Sequence, residues 1–203
     1  PAAPRDAPVV AVDLGVRKLG VLPDGTRIEN VRAEAGAAKR LRRAVLAVAR
    51  KRRAADKKFG VRKKGEKRES SKRLRRAYQR LDRVRSEVAN VRRSAIHVAT
   101  KHLATTAGVV VLEDLRVKNM TRRRNGKGRA AKAGLNRAIL DAGWGEFRRQ
   151  LAYKCGWYGS RLVVVPPQYT SQDCSGCGSR NDVGAAEVYR CSGCGLVMDR
   201  DQN

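Results

Sequence analysis

A repeated pentapeptide constrains the fold of this chain more than any other feature. CSGCG occurs twice, letter for letter, and supplies two CxxC pairs thirteen residues apart: Cys174, Cys177, Cys191 and Cys194. Two CxxC turns, each followed by glycine, let paired thiolates approach one ion from opposite sides, as in a tetrahedral zinc ribbon. The alternative is a pair of disulfides, which a reducing compartment disfavours. We therefore predict a structural zinc site that uses all four cysteines.

The fifth cysteine belongs to a different pattern. Cys155 shares one stripe of a predicted helix with five apolar residues: Leu135, Ile139, Ala142, Phe147 and Leu151. This spacing predicts one helix from Leu135 to Cys155 with a buried apolar face. A packing role for Cys155 is favoured over a reactive one.

Apolar runs that end in a carboxylate are the second strong pattern. Val9–Val12 runs directly into Asp13, and Val109–Leu112 runs directly into Glu113. A third run, Leu162–Val165, follows the predicted helix. Runs without alternation predict strands of a parallel sheet that are buried on both faces. Because a buried carboxylate needs a partner, and because functional groups gather at the ends of parallel strands, we expect the two acids to be neighbours.

The chain between the first two runs predicts a strand meander followed by two helices. Leu19–Leu22 and Thr26–Val31 flank the turn PDG, and helical patterns cover about 37–58 and 71–105. Apolar residues of the second helix step by threes and fours, as in the seam of an antiparallel helix pair: Leu74, Ala77, Leu81, Val84, Val88, Val91, Ala95 and Val98. The remaining faces carry many arginines, which indicates either a nucleic-acid track or a solvated helix surface.

The charge balance points to a polyanionic partner. Lys and Arg number 46 against 19 Asp and Glu, for a net charge of +27, and the aromatic residues are only 2 Trp, 5 Tyr and 2 Phe. Binding through phosphates is therefore favoured over broad base stacking. No apolar run approaches the ~20 residues of a membrane span, and no signal peptide is recognisable. We expect a cytosolic or nucleoid-bound protein.

A third acidic segment lies just beyond the cysteines. MDRDQN at 198–203 supplies Asp199 and Asp201. Acids from three separated segments, in a strongly basic chain, would together chelate two Mg²⁺ or Mn²⁺ ions that assist phosphodiester hydrolysis. The alternative for each acid is a salt bridge to an arginine. The glycine- and arginine-rich stretch 118–134 shows no periodicity, so we expect a mobile loop that either orders over nucleic acid or stays a plain linker.

Five segments, taken in order, resemble the split RuvC nuclease domain and zinc ribbon of the TnpB family: DLG at 13–15, LEDL at 112–115, YTSQDCSGCG at 169–178, CSGCG at 191–195 and DRDQN at 199–203. That family comprises insertion-sequence-encoded RNA-guided nucleases, and its relatives include the compact type V CRISPR effectors. NVRRSAIH at 90–97 and DAGWGEFRRQLAYK at 141–154 also resemble family segments, so the likeness covers nearly the whole chain.

The resemblance implies an α/β fold with an RNase H-like (RuvC) mixed sheet, a long helical-hairpin insertion and a zinc ribbon. The implied divisions are 1–35 for the first RuvC part, 36–106 for the inserted helices, 107–167 for the second RuvC part, 168–198 for the zinc ribbon and 199–203 for the start of the third RuvC part. Expected partners are a guide RNA and a target DNA in a prokaryotic cytosol. The N-terminal domains that recognise guide and DNA are expected to lie outside this segment.

The resemblance also assigns the acids of a Mg²⁺-dependent DNA endonuclease. Asp13 matches the first catalytic aspartate, Glu113 matches the glutamate of the second motif, and Asp201 matches the acid of a DxN motif, with Asp199 in reserve. The competing hypothesis is a noncatalytic, basic zinc-ribbon protein that binds RNA or DNA, in which the acids only stabilise the fold.

Overall fold

A computed structural model describes residues 7–61, 70–123, 125–169, 172–182, 184 and 188–199. Asp201 and the rest of 200–203 lie outside these residues. The elements are, in chain order, β1 (Val9–Val12), β2 (Lys18–Val21), β3 (Arg27–Glu29), α1 (Ala33–Gly36), α2 (Ala38–Phe59), α3 (Lys72–Thr106), β4 (Val109–Glu113), α4 (Val117–Met120), α5 (Arg129–Ala142), α6 (Trp144–Tyr158), β5 (Arg161–Val165), β6 (Val188–Arg190) and β7 (Val197–Asp199).

The three apolar runs pair as parallel strands, as predicted. In this sheet β4 lies between β1 and β5, with Val12 opposite Leu112 and Leu112 opposite Val164. Strands β2 and β3 form an antiparallel ladder that joins the end of β1 through a bridge between Asp13 and Val21. The fold is thus a mixed α/β arrangement in which the strand meander is built onto one side of a parallel sheet.

The prediction that β1 is buried on both faces is wrong. Val12 is 2% exposed, whereas Val9 is 68% exposed and Ala11 is also exposed. Val110 and Leu112 of β4 are fully buried on the same face as Val12. One face of the sheet therefore packs on the core, and an apolar run in β1 does not mean that both of its faces are covered.

The chain divides into two compact units, Pro1–Val31 with Ala95–Asn203, and Arg32–Ser94. The second unit contains an antiparallel pair made by α2 and the first part of α3, which confirms a helical insertion between β3 and β4. Val48 packs there with Leu74, Ala77 and Leu81. Among the described residues, no helix has the length and apolar character needed to cross a bilayer.

The predicted seam of α3 is correct only in its first half. Leu74 to Val88 follow the seam, but Val91 and Val98 are 53% and 67% exposed. Ile96 and Leu103 are buried instead, in the core of the first unit. A heptad repeat drifts by about 20° per seven residues around a straight helix, and the core that α3 packs against changes along its length.

The predicted helix from Leu135 to Cys155 is broken in two. Gly143 adopts φ 73° and ψ 33°, ends α5 and starts α6, a left-handed conformation that suits glycine. Phe147 and Cys155 are buried as predicted, whereas Leu135 is 46% exposed. The indole N–H of Trp144 donates to the carbonyl of Gly15 at 3.3 Å, so the break anchors α6 near the end of β1.

The stretch 118–134 is also more ordered than predicted. Helix α4 covers its start, and α5 begins at Arg129. The two are tied together because Lys132 Nζ donates to the carbonyl of Met120 at 2.5 Å and Asn136 Nδ2 donates to that of Thr121 at 2.8 Å. Helices therefore cover 118–120 and 129–134, and the described residues between them belong to no helix or strand.

A buried lysine fixes α6 against the end of α3. Lys154 is 1% exposed, and its ammonium donates to the carbonyl of His97 at 2.8 Å and to Thr100 Oγ1 at 2.6 Å. Burial lowers the pKa of Lys154, and the nearby charge of Lys101 lowers it further. The hydrogen bonds offset part of that desolvation cost and hold α6 in register against α3.

Candidate active site and metal centre

The first two predicted acids leave neighbouring strands at the same level of the sheet. Val12 and Leu112 form the last registered pair of β1 and β4, and each is followed directly by its acid, Asp13 or Glu113. Adjacent strands lie about 4.8 Å apart, and alternate residues point to opposite faces. Both acids therefore belong to the face opposite Val12 and Leu112, at the carboxyl end of the parallel strands.

The backbone holds Asp13 in place independently of its side chain. Its N–H donates to the carbonyl of Val21 at 3.0 Å, and the Val21 N–H donates to the Asp13 carbonyl at 2.9 Å. Asp13 is exposed and Glu113 is half-buried, so the expectation of a desolvated carboxylate at position 13 is wrong. Of the two acids, Asp13 is the more exposed to solvent.

A cleft of about 810 Å³ opens beside this strand end. Its walls include Asp114, Arg116 and Arg148, together with Pro166 and the other residues that follow β5. Arg148 of α6 forms an ion pair with Asp114, the acid next to Glu113 in the chain. Sequence patterns do not reveal this pair because its members are 34 positions apart. The pair engages the Asp114 carboxylate and places the Arg148 guanidinium in the wall of the cleft.

The third predicted acid stays a prediction. Asp201 lies outside the described residues, whereas the reserve candidate Asp199 is described. Asp199 is exposed at the end of β7, opposite Val188 of β6 in the hairpin beside the cysteines.

The four cysteines meet in one cluster. All four sulfur atoms lie within 4.8 Å of one another, with 3.7 Å between Cys174 and Cys194 and 3.6 Å between Cys177 and Cys191. Four sulfurs around one ion at the usual Zn–S distance of about 2.3 Å would be about 3.8 Å apart. A disulfide needs about 2.05 Å, and all four are free thiols. The cluster has the dimensions of a tetrahedral metal site.

Both halves of the cluster repeat one local geometry. Gly178 and Gly195 adopt φ 74° and 75°, and each donates its N–H to the carbonyl of the first cysteine of its pair. The backbone N–H groups of Cys194 and Gly193 also lower the pKa of the Cys191 thiol to about 6, against the opposing effect of burial. Thiolate is the form that binds metal. In the same turn the Leu196 N–H lowers the pKa of Cys194, but hydrogen bonds with Cys177, Cys191 and Cys174 outweigh it and raise that pKa to about 12.

Asn181 and Tyr189 support the cluster and were missed from the sequence. Asn181 Nδ2 donates to the hydroxyl of Tyr189 at 2.8 Å and lies 3.5 Å from Cys191 Sγ, while its Oδ1 accepts from the Ser192 N–H at 2.8 Å. Tyr189 is fully buried. One indication of this role for Tyr189 was present in the sequence. It lies on β6 two residues before Cys191, and residues two positions apart in an extended chain share a face.

Comparison with known proteins identifies the family. The family model OrfB_IS605, described as a probable transposase, matches residues 1–124. A candidate RNA-guided DNA endonuclease of Escherichia coli (strain K12), InsQ, is 37% identical over 97% of this chain. The chain belongs to the TnpB (OrfB_IS605) family. A second model, the Cas12f1-like TNB domain, matches residues 144–203 of this TnpB-family chain.

Other relatives agree with this assignment. A candidate RNA-guided DNA endonuclease of Mycobacterium tuberculosis (strain ATCC 25618 / H37Rv) is 36% identical over 96% of the chain. The TnpB-family chain spans 47% of the length of InsQ and 39% of the mycobacterial protein, so it covers less than half of each. The resemblance that the motifs suggested is confirmed.

Two solved structures show the same fold. A CRISPR-Cas12f ternary complex matches the whole TnpB-family chain with a TM-score of 0.59 at 15% identity, over 38% of its own chain. A Cas12f1–sgRNA–target DNA complex matches 96% of the chain with a TM-score of 0.51 at 17% identity, over 46% of its own chain. The mixed α/β architecture is therefore Cas12f-like.

Proposed function

We propose that this chain is the RuvC-type nuclease part of an RNA-guided DNA endonuclease, which hydrolyses DNA phosphodiesters with Asp13, Glu113 and Asp201. The observation that carries the proposal is the in-register parallel pairing of β1 and β4, because it brings two acids distant in the chain to one strand end. The names of the curated relatives support the same activity. An RNase H-like sheet is supported by the strand order, in which the β2–β3 ladder continues the parallel sheet through the Asp13 bridge.

Carboxylates at this strand end suit Mg²⁺ or Mn²⁺, which prefer oxygen ligands. Asp13 and Glu113 would hold the ions, and Asp201 would complete the site. The chemistry that a pair of such ions supplies when bound is activation of water on one side of the phosphodiester and stabilisation of the leaving oxygen on the other. The chain itself contributes an accessible pair of carboxylates and, in Arg116 and Arg148, positive charge at the adjoining cleft.

We assign zinc to the cysteine cluster and a structural role to the ion. The spacing of the four sulfur atoms supports this assignment. Four thiolates fill a tetrahedral shell and leave no position for substrate. We place the protein in a prokaryotic cytosol or nucleoid, where its DNA and RNA partners are found.

A basic groove in the helical insertion supports binding of guide RNA or target DNA. An open groove of about 550 Å³ lies between α2 and α3. Small apolar residues line it together with six basic residues: Arg40, Arg43, Lys51, Arg73, Arg76 and Arg80. Of these, Arg40 is already paired with Glu87 at 2.6 Å. Such a stripe suits phosphates because each neutralised phosphate releases counterions.

Replacing Arg43, Arg76 and Arg80 together with glutamine should weaken nucleic-acid binding and flatten its salt dependence. Each phosphate contact contributes about 0.9 to the slope of log K against log[salt], so the slope should fall by roughly 2 to 3. Titrations of guide RNA and of duplex DNA between 50 and 200 mM salt measure it. The matched control replaces three exposed arginines outside the groove, Arg27, Arg161 and Arg190. Equal changes of slope in both triple variants would assign the effect to net charge rather than to the groove.

The activity itself is tested with the full-length protein, a guide RNA and matched duplex DNA. Cleavage should require both the guide and Mg²⁺ or Mn²⁺, and omission of the divalent ion should abolish cutting while binding persists. Gel analysis of end-labelled DNA measures both. Guide-dependent binding without cutting in any divalent ion would instead support the noncatalytic binder.

A further inference from the structure

Tyr169, four residues after the end of β5, is held in an unusual backbone conformation. Its backbone φ is 67°, in the left-handed region that residues with a Cβ rarely adopt. The guanidinium carbon of Arg180 lies 3.6 Å from the centre of the Tyr169 ring, in direct stacking contact. Tyr169 is nevertheless 51% exposed. One side of the ring is therefore covered by Arg180, and much of the remaining surface faces solvent.

The stacking arginine is fixed by its own partners. Arg180 Nε donates to Asp173 Oδ1 at 2.7 Å, and Nη2 donates to Oδ2 at 3.2 Å, a two-point clamp that orients the planar guanidinium. Backbone N–H groups of Gln172 and Asp173 donate to the carbonyl of Tyr169 at 2.8 and 2.9 Å. The ring, its backing group and its backbone are thus preorganised as a single unit.

Tyr169 adopts a backbone conformation that is unfavourable for a tyrosine, and this conformation fixes the position of its ring. Backbone strain of this kind persists only where surrounding contacts enforce it, and it concentrates at functional sites. Glycine would fit φ 67° without strain, yet the position carries a large aromatic side chain. Aromatic residues are few in this chain, with 5 Tyr, 2 Trp and 2 Phe. An exposed tyrosine ring with a guanidinium on one face can stack with another planar group on its other face.

The unit lies at the same end of the sheet as the two acids. Val165 pairs with Glu113 on the neighbouring strand, and Tyr169 follows four residues later, a span of at most about 14 Å. Between them, Gln168 and the prolines line the cleft that also contains Arg116 and Arg148. A strand whose phosphates contact those arginines would bring a base within reach of the ring.

We propose that Tyr169, backed by Arg180, is a stacking platform for one unpaired base of the DNA strand next to the scissile phosphate. Its role rests on the proposed nuclease function and is that of a positioning residue, since it acts on the base rather than on the reacting atoms. Single-stranded nucleic acid fits because every base offers a π-face and the adjoining cleft offers arginines for phosphates. A protein segment covering the same ring is the alternative.

The test measures base stacking without cleavage. Full-length protein carrying Asp13→Ala is loaded with guide RNA and with target DNA that has 2-aminopurine at successive positions around the cut site. One position should show strong fluorescence quenching, and Tyr169→Gly should remove that quenching while Tyr169→Phe retains it. In the cleaving protein, Tyr169→Gly should slow single-turnover cutting roughly 5- to 100-fold, the range expected for one lost base–aromatic stack.

An abasic substitution at the quenched position provides a second, independent measurement. It should slow cutting as much as Tyr169→Gly does, and the two changes together should be no worse than either alone. Because glycine relieves the backbone at φ 67°, thermal stability should not fall. If the glycine variant does not fold, Tyr169→Leu serves in its place. Leucine keeps an apolar side chain over Arg180 but has no π-face, so this variant should also lose the quenching and slow the cutting.

Three results would overturn the platform: quenching that is unchanged in Tyr169→Gly and Tyr169→Leu, abasic and Tyr169 effects that simply multiply, or reduced thermal stability with normal cutting. The last result would show that the Tyr169 ring serves only to pack the fold. A Tyr169 ring that is shielded from solvent in the full-length protein without DNA would show that a protein segment covers it. Tyr169-dependent quenching together with no cutting by the protein that retains Asp13 would uphold the stacking role of Tyr169 and reject the proposed nuclease.

Discussion

Replacing Asp13 with alanine is expected to reduce guide-dependent DNA cleavage by the full-length protein at least about 10³-fold. The substitution removes a ligand of the proposed ions, which stabilise charge in the transition state by several kcal/mol, and each 1.36 kcal/mol corresponds to a factor of ten. Binding of guide and target should be retained, because the backbone hydrogen bonds between Asp13 and Val21 do not involve the carboxylate. Single-turnover cleavage and gel-shift titrations measure the two properties separately.

The design of this experiment uses two further acids. Glu113→Gln preserves shape and should cause a comparable loss, and the double variant should be little worse than either single one because the two acids act on the same ions. Asp24→Ala is the matched control, since Asp24 is an exposed acid in the turn before β3 whose side chain accepts a local hydrogen bond from the Thr26 N–H at 2.8 Å. Cleavage by Asp13→Ala at the wild-type rate would end the nuclease proposal.

Replacing Cys191 with serine should abolish zinc binding and unfold the region around the cysteine cluster. Binding of structural zinc contributes on the order of 10 kcal/mol in small zinc modules, more than so short a segment can otherwise gain from its core. Apart from the cysteines, that core consists of the buried Tyr189 with Leu196 and Met198 packed against it. Zinc content by atomic absorption should fall from one ion per chain to none, and limited proteolysis should cut within 172–199.

Cys155→Ala is the control for this substitution. Cys155 is buried on α6 in the core of the first unit, apart from the cysteine cluster, so its loss should leave one zinc per chain and cost only about 1 kcal/mol of stability. Full retention of zinc by Cys191→Ser would show that the cluster is not the site. Retention of an intact ribbon after zinc removal would show that the ion is not structural.

Features carried by short-range patterns could be predicted from the sequence. The CxxC spacing anticipated the cysteine cluster, and the apolar runs anticipated the parallel sheet. The positions of Asp13 and Glu113 followed as well, because residues that follow paired parallel strands must lie at one edge whatever the intervening chain does. These inferences needed only periodicity and strand direction.

Other features depend on which element covers which face, and periodicity does not report that. Val9 is as apolar as Val12, yet only Val12 meets the core. In α3 the apolar spacing continues to Val98, but the seam residues Val91 and Val98 are exposed, whereas Val88 is still buried. The break at Gly143 interrupts an apolar stripe that continues on both sides of it, so a helical pattern alone could not locate the turn.

Contacts between distant side chains were the hardest to anticipate. The ion pair between Arg148 and Asp114 joins residues 34 positions apart. Because the sequence contains many arginines, the partner of Asp114 could not be identified from it. The stack of Arg180 on Tyr169 depends on a left-handed backbone residue that no sequence pattern indicated. Of these two pairs, Arg148 with Asp114 lies in the wall of the cleft next to Glu113, which the sequence alone did not indicate.

The backbone bridge at Asp13 has an evolutionary consequence. Main-chain atoms of this residue join β1 to the β2–β3 ladder, whereas the proposed chemistry uses its side chain. A single codon change at this position would therefore leave the scaffold joined while removing the proposed ion ligand. Under the proposed function, loss of DNA cleavage without loss of the fold would need only one substitution.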